Sequence, residues 1–171
     1  MKTYQKMGHA ILFYLVFLFY IFVLFLLLFM RGHAFHSVNI IPFHTIRGYI
    51  HDTGTILSSI AITNLLGNIV LFVPLGVYVT LFDRNKGFLK NILLILLLST
   101  CVEIIQYIFY LGVSDVDDVI LNGLGGFVGI AFYKFLLFIL KDVQKVRYAI
   151  EIIAPIIGVA SICFIYLHYI T

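Results

Sequence analysis

Five long runs almost without charge constrain this chain more than any other feature. They lie at roughly 8–30, 61–82, 91–112, 118–140 and 149–170, and none holds more than two Asp, Glu, Lys or Arg residues. About 20 helical residues cross about 30 Å of hydrocarbon. Lipid offers no hydrogen-bond partners, so a spanning backbone must pair with itself, and runs of this length do so as helices. The sequence therefore predicts an all-α polytopic membrane protein, five transmembrane helices in a single domain over 1–171. Composition agrees: 63% of residues are hydrophobic and only 11% charged, too apolar for a soluble globule.

The first run follows Lys2 and Lys6, which raises a secretory signal. Its apolar core of about 22 residues exceeds the roughly 7–15 of a signal peptide, and no small-x-small cleavage site follows, so it is expected to stay as an anchor. Lys2, Lys6, Arg84, Lys86, Lys90, Lys134, Lys141, Lys145 and Arg147 fall on one side of the predicted membrane, leaving only Arg31 and Arg47 on the other. Basic loops stay inside, which predicts a cytoplasmic N-terminus and an extracytoplasmic C-terminus. The net charge of +3 is thus a topology signal, with anionic lipid as a partner, and gives no reason to invoke nucleic acid. Cys101 and Cys163 both lie within spans and read as small packing residues.

The 31–60 connection is expected outside the membrane's hydrocarbon, lying at the outer interface. Phe35, Ile40, Ile41, Phe43 and Ile46 alternate there with His, Asn and Arg. Pro42 disfavours helix at Ile41, so "NIIPF" is expected as a stiff turn or strand-like piece.

The spans carry polar residues at helical spacing. Asn64 and Asn68 are four apart, and Glu103 and Gln106 three apart, so each pair shares a helix face. Gly67 allows close helix approach, and Pro74 is expected to bend the second span. Ahead of the fourth span comes "SDVDDVILNGLGG", where Ser114 and Asp117 resemble a capping box and carboxylates suit a helix N-terminus. Asn122 follows one turn below Asp118, and Gly123, Gly125, Gly126 and Gly129 provide a face for packing or for oligomerisation.

Helical rise places Asn68 roughly 10 Å, Glu103 roughly 13 Å, Gln106 roughly 9 Å and Asn122 roughly 6 Å below the outer boundary. Amides and acids at such depth cost about 1–3 kcal/mol each unless they find partners or water. One shared interior pocket satisfies them all, with Asp115, Asp117 and Asp118 as its rim. Interhelical hydrogen bonding and surface helix capping are the plainer readings of the same residues. A carboxylate in hydrocarbon needs a partner or a proton, which singles out Glu103, with Arg47 as a potential counter-charge.

Other chemistries lack their signatures. His33, His36, His44 and His51 share the outer loop, but their spacing matches no usual zinc motif, so no metal is predicted. There is no Gly-x-Ser-x-Gly elbow, and Ser99, Thr100 and Ser114 lie beside no evident base. No other cofactor is expected.

The ordered motifs "NIIPF", "NLLGNIVLFVPLG", "EIIQ" and "DVDDVILNGLGG" resemble the VanZ-like family over about residues 1–140. The resemblance implies a small bacterial plasma-membrane protein linked to teicoplanin-type glycopeptide or lipoglycopeptide resistance, without an established reaction. It carries over Asn39, Pro42, Phe43, Asn64, Gly67, Asn68, Pro74, Gly76, Glu103, Gln106, Asp115, Asp117, Asp118, Asn122 and Gly126 as motif positions. Ser114 stands where an aromatic is often expected.

Three functions are open on these grounds. The first is a binding or shielding protein whose outer-leaflet polar cleft holds a lipid, a lipid-linked wall precursor or a lipoglycopeptide. In it Asn39, Pro42, Phe43, Asn64, Asn68, Glu103, Gln106, Asp115, Asp117, Asp118 and Asn122 form the site, with "NIIPF" as a lid, and Gly67, Pro74, Gly76 and Gly126 shape the helices. The second is an embedded enzyme acting on an amphiphile with Glu103 as general acid or base. The third is a structural subunit of an envelope assembly.

Overall fold

A computed structural model describes residues 2–29, 38–51, 55–83, 87–111 and 113–170, without the side chains of 2–7, 10, 49–51, 55–63 and 157–170. Arg31, His33, His36, Arg84 and Lys86 therefore lie outside the described residues, as do the side chains of Lys2, Lys6, His51 and Cys163.

The elements run α1 (Lys2–Phe29), β1 (Val38–Asn39), α2 (His44–His51), α3 (Thr55–Phe82), α4 (Phe88–Ile108), β2 (Ser114–Asp115), α5 (Val116–Leu140) and α6 (Val143–Ile170). Four segments are long and apolar enough to cross a membrane among the described residues: Ile11–Phe29, Asn64–Phe82, Phe88–Ile108 and Val116–Leu140. They correspond to the first four predicted runs. The fifth run falls within α6, where the side chains beyond Ile156 are not described.

Among the described residues the interior mixes polar with apolar side chains, and the surface exposes large apolar ones. Asn68, Thr80, Asn91, Ser99, Gln106 and Asn122 are buried, whereas Leu18, Phe22, Leu93, Leu97, Ile104 and Phe138 are exposed. A chain solvated by lipid can leave leucine and phenylalanine outside at little cost, but must pair its amides and hydroxyls internally.

Two compact units result. The first joins Met1–Leu24 to Lys134–Thr171. Within it the buried Phe13 lies under the Arg147 guanidinium, 4.3 Å from its ring centre. His9 Nδ1 approaches the buried Glu151 at 3.1 Å and stacks edge-on to Tyr148.

The second unit, Phe25–Tyr133, holds β1, α2, α3, α4, β2 and most of α5. Its glycines set the helix separation. A methyl group on Gly125 or Gly129 would run into the carbonyl oxygens of Ile69 or Val73 on α3, and one on Gly76 would meet that of Gly126. On another side of α5, Gly123 and Gly126 receive the side chains of Leu96 and Ile95 from α4. The glycine face expected either to pack internally or to oligomerise thus packs within this unit. Pro74 sits inside α3, half-buried.

Several boundaries differ from the sequence reading: α3 begins at Thr55 and α6 at Val143, each six residues before the predicted run, and α2 lies within the predicted 31–60 connection. Helix α4 stops at Ile108 instead of reaching 112, because Leu111 N–H bonds to Gln106 C=O at 2.8 Å and Tyr110 N–H to Tyr107 C=O at 3.3 Å. This is a Schellman C-cap, with Tyr110 at φ 56° in the left-handed position usually given to glycine. The predicted Ser114 cap is also corrected: Ser114 pairs as strand with Val38, and Asp115 with Asn39, in a parallel two-residue ladder. Asp115 caps α5 instead, its Oδ1 accepting the Asp117 N–H at 2.9 Å.

Candidate functional site

The ladder fixes where the "NIIPF" turn lands. Parallel pairing of β1 with β2 brings residues 38–46 over the start of α5. The turn needs acceptors for its backbone and side chains, and the carboxylates of "SDVDD" supply them. Asp117, fully buried, accepts the Phe43 and Ile46 N–H groups on Oδ1 and Oδ2, the second at 3.1 Å. It thereby caps the N-terminus of α2 while standing in the first turn of α5, so two helix dipoles favour its negative charge. Phe43 itself has φ 63°, a left-handed residue held by this bond.

Asp115 works beside it. Its Oδ1 accepts Asn39 Nδ2 at 3.0 Å, and its Oδ2 accepts the Thr45 hydroxyl. Asn39 Nδ2 also reaches Thr45 Oγ1 at 3.0 Å, and Asn39 Oδ1 takes the Ile41 N–H at 3.1 Å, closing an Asx turn. Thr45→Val removes the hydroxyl that joins these two and should lower stability by about 1–2 kcal/mol in chemical denaturation of the micelle-embedded protein.

Glu103 lies beneath this layer on α4. It accepts the Asp115 backbone N–H at 2.8 Å and a hydrogen bond from Ser114. Asn68 on α3 donates to Asp118 Oδ1, and Asn122 on α5 donates to Ser99 Oγ at 2.8 Å. Amides and acids of α3, α4 and α5 are thus joined pair by pair, Asn68 to Asp118, Glu103 to the Asp115 N–H and Asn122 to Ser99.

Not every expected member joins them. Gln106 donates instead to the Leu28 carbonyl at the end of α1, at 2.8 Å. Asn64 is exposed, Gly67 is half-buried, and Pro42 and the Phe43 side chain face outward. Arg47 is exposed on α2. Asp115 and Asp117 are buried beneath the loop.

Asn91 and Thr80 are buried polar residues that the sequence reading passed over, and Ser99, weighed there only as a nucleophile, is buried as well. Asn91 donates to Thr80 Oγ1 at 3.4 Å, and Thr80 bonds back to the Gly76 carbonyl. The signal for Asn91 and Ser99 is the spacing Asn91, Ile95, Ser99, Glu103, Gln106, which repeats along the buried face of α4.

The comparisons with known proteins agree with the family resemblance. The VanZ/LLP1 family model matches residues 10–139. The chain belongs to the VanZ/LLP1 family. A relative described as Protein VanZ, from Enterococcus faecium, is 34% identical over 97 residues, covering 57% of this chain and 52% of that protein. The chain thus aligns with about half the length of this VanZ relative. No solved structure matches it. The VanZ/LLP1 match contains the whole loop-anchoring network, from Asn39 to Asn122.

Proposed function

We propose that this VanZ/LLP1 protein contributes to resistance against teicoplanin-like glycopeptides by docking an amphiphile at the loop end of its second unit. The reading takes up five membrane passages in the bacterial plasma membrane, with α6 as the fifth, the N-terminus cytoplasmic, and the 38–51 loop at the outer face. The distribution of basic residues and the 28-residue length of α6 support that topology.

One observation carries the docking: a loop clamped by buried carboxylates holds Val38, Ile40, Ile41 and Phe43 exposed, Ile40 at 77%. A mobile loop would collapse those side chains together, whereas a pinned one presents them to an acyl chain. The occupant is a membrane lipid, a lipid-linked wall precursor or a lipoglycopeptide, its polar head near Asn64, Arg47 and His44. Engagement of Glu103 by the Asp115 amide supports a positioning role for this acid over general acid–base chemistry.

The test is protection of cells against a lipoglycopeptide. Ile40→Ser with Ile41→Ser, both exposed and outside the clamp, should lower the protective concentration range several-fold at unchanged membrane abundance. Glu103→Gln and Asn68→Ala, normally inserted, should do the same. Protection equal to the parent chain in all of them would rule out the site, and covalently altered lipids or precursors in cells producing the protein would replace docking with catalysis.

A further inference from the structure

Charge is divided unevenly between the two compact units. Met1–Leu24 with Lys134–Thr171 carries six lysines and arginines against two acids, whereas Phe25–Tyr133 carries five against six. The chain's positive charge therefore belongs to the first unit, and both acids of that unit are occupied. Asp142 Oδ1 accepts the Gln144 N–H at 2.7 Å and caps α6, and Glu151 Oε2 lies 3.1 Å from His9 Nδ1.

Arg147 differs from the other cations of this unit. It is half-buried, its guanidinium 4.3 Å from the Phe13 ring centre and 6.0 Å from that of Tyr14. Among the described residues it has no ion pair and no hydrogen bond. Glu151 lies one turn along the same helix, but basic before acidic is the weaker order for such a pair, and the carboxylate turns to His9. The two rings stabilise the charge without offering lone pairs to its five N–H donors. Phe13 and Tyr14 also fall within Ile11–Phe29, a segment long and apolar enough to cross a membrane. A guanidinium held near the end of such a segment needs an anion there or the headgroup layer.

The neighbouring surface says which anion. Ile11, Leu15, Leu18 and Phe22 are each more than half exposed and follow one face of α1. Tyr14 lies between that face and the buried Phe13. The four apolar side chains extend for about 16 Å at 1.5 Å per residue, close to the depth of one leaflet's hydrocarbon, about 15 Å.

We infer that Arg147 holds the phosphate of an anionic phospholipid, with one acyl chain lying along Ile11, Leu15, Leu18 and Phe22. Arginine donates two parallel N–H bonds to phosphate oxygens, a geometry that lysine cannot supply. Lys141 and Lys145, both exposed around the turn into α6, add attraction for the lipid's net negative charge. Net charge alone points to anionic lipid for the whole basic side; Arg147 is a specific seat for it. This site lies within the first unit and is independent of the docking proposed above.

The full chain in maltoside micelles is unfolded thermally with phosphatidylglycerol, phosphatidylcholine or inorganic phosphate added. Phosphatidylglycerol at a hundredfold excess over its Kd should raise Tm by about 5–10 °C, and the other two by much less. Affinity is read from that lipid-dependent rise, so a lower starting Tm from a lost ring contact does not enter it. Arg147→Gln should weaken the apparent affinity about tenfold. Arg147→Lys, which keeps the charge and safeguards folding, should weaken it several-fold, and Lys145→Gln by clearly less than Arg147→Gln. Equal rises with phosphatidylglycerol and phosphatidylcholine overturn the assignment. An equal rise with inorganic phosphate overturns it in favour of a free-anion site. Parental affinity in Arg147→Lys, or as large a loss in Lys145→Gln as in Arg147→Gln, overturns it in favour of a diffuse basic patch.

Discussion

Asp117→Ala should be among the most destabilising single substitutions in the chain, with a loss of about 3–5 kcal/mol. The carboxylate accepts two backbone N–H groups, from Phe43 and Ile46, and is itself fully buried. Each hydrogen bond to a charged acceptor contributes about 1.5–3 kcal/mol, and removal leaves two donors without partners under the loop. No neighbouring group can take over, because Asp115 already serves Asn39, Thr45 and the Asp117 amide. Asp117→Asn keeps one acceptor oxygen and should lose about half as much. Thermal unfolding in micelles measures the total, and hydrogen exchange at the Phe43 and Ile46 amides localises it. Exchange as slow as in the parent chain would show that another group holds the turn.

Gly129→Ala carries an unusual sign. In an isolated helix the change stabilises by about 1 kcal/mol, because alanine is the better helix former. Here the added methyl meets the Val73 carbonyl oxygen of α3, a backbone atom that cannot rotate away. Overpacking of this kind costs about 1–3 kcal/mol and more where backbone opposes it, so the net effect should be a loss of about 2 kcal/mol. Gly129→Leu should prevent α3 and α5 from pairing at all. Unfolding of the two variants, read with their abundance in membranes, checks both. A gain in stability for the alanine variant would mean the helices stand farther apart than described.

Much of this could be read without coordinates. Hydrocarbon demands length and self-paired backbone, so the apolar runs located the four helices that are long and apolar enough to cross a membrane. Burial of Glu103, Asn68 and Asn122 was legible because polar side chains on apolar helices have to find partners. Their helical depth is arithmetic on rise per residue. Gln106 shows where that arithmetic stops: equal depth does not fix direction around the bundle, and its amide turns to the Leu28 carbonyl.

Sequence alone determined the all-helical class, four apolar runs long enough to cross a membrane, and the family. Tertiary structure decided what the aspartates do. Pairing of Val38–Asn39 with Ser114–Asp115 joins segments 76 positions apart, and a two-residue ladder has too little pattern to announce itself. Only when that ladder brings the "NIIPF" turn over α5 do its backbone N–H groups find the carboxylates. The acids sit where they do because the buried N–H groups of that turn need acceptors, and carboxylates at a helix N-terminus supply them.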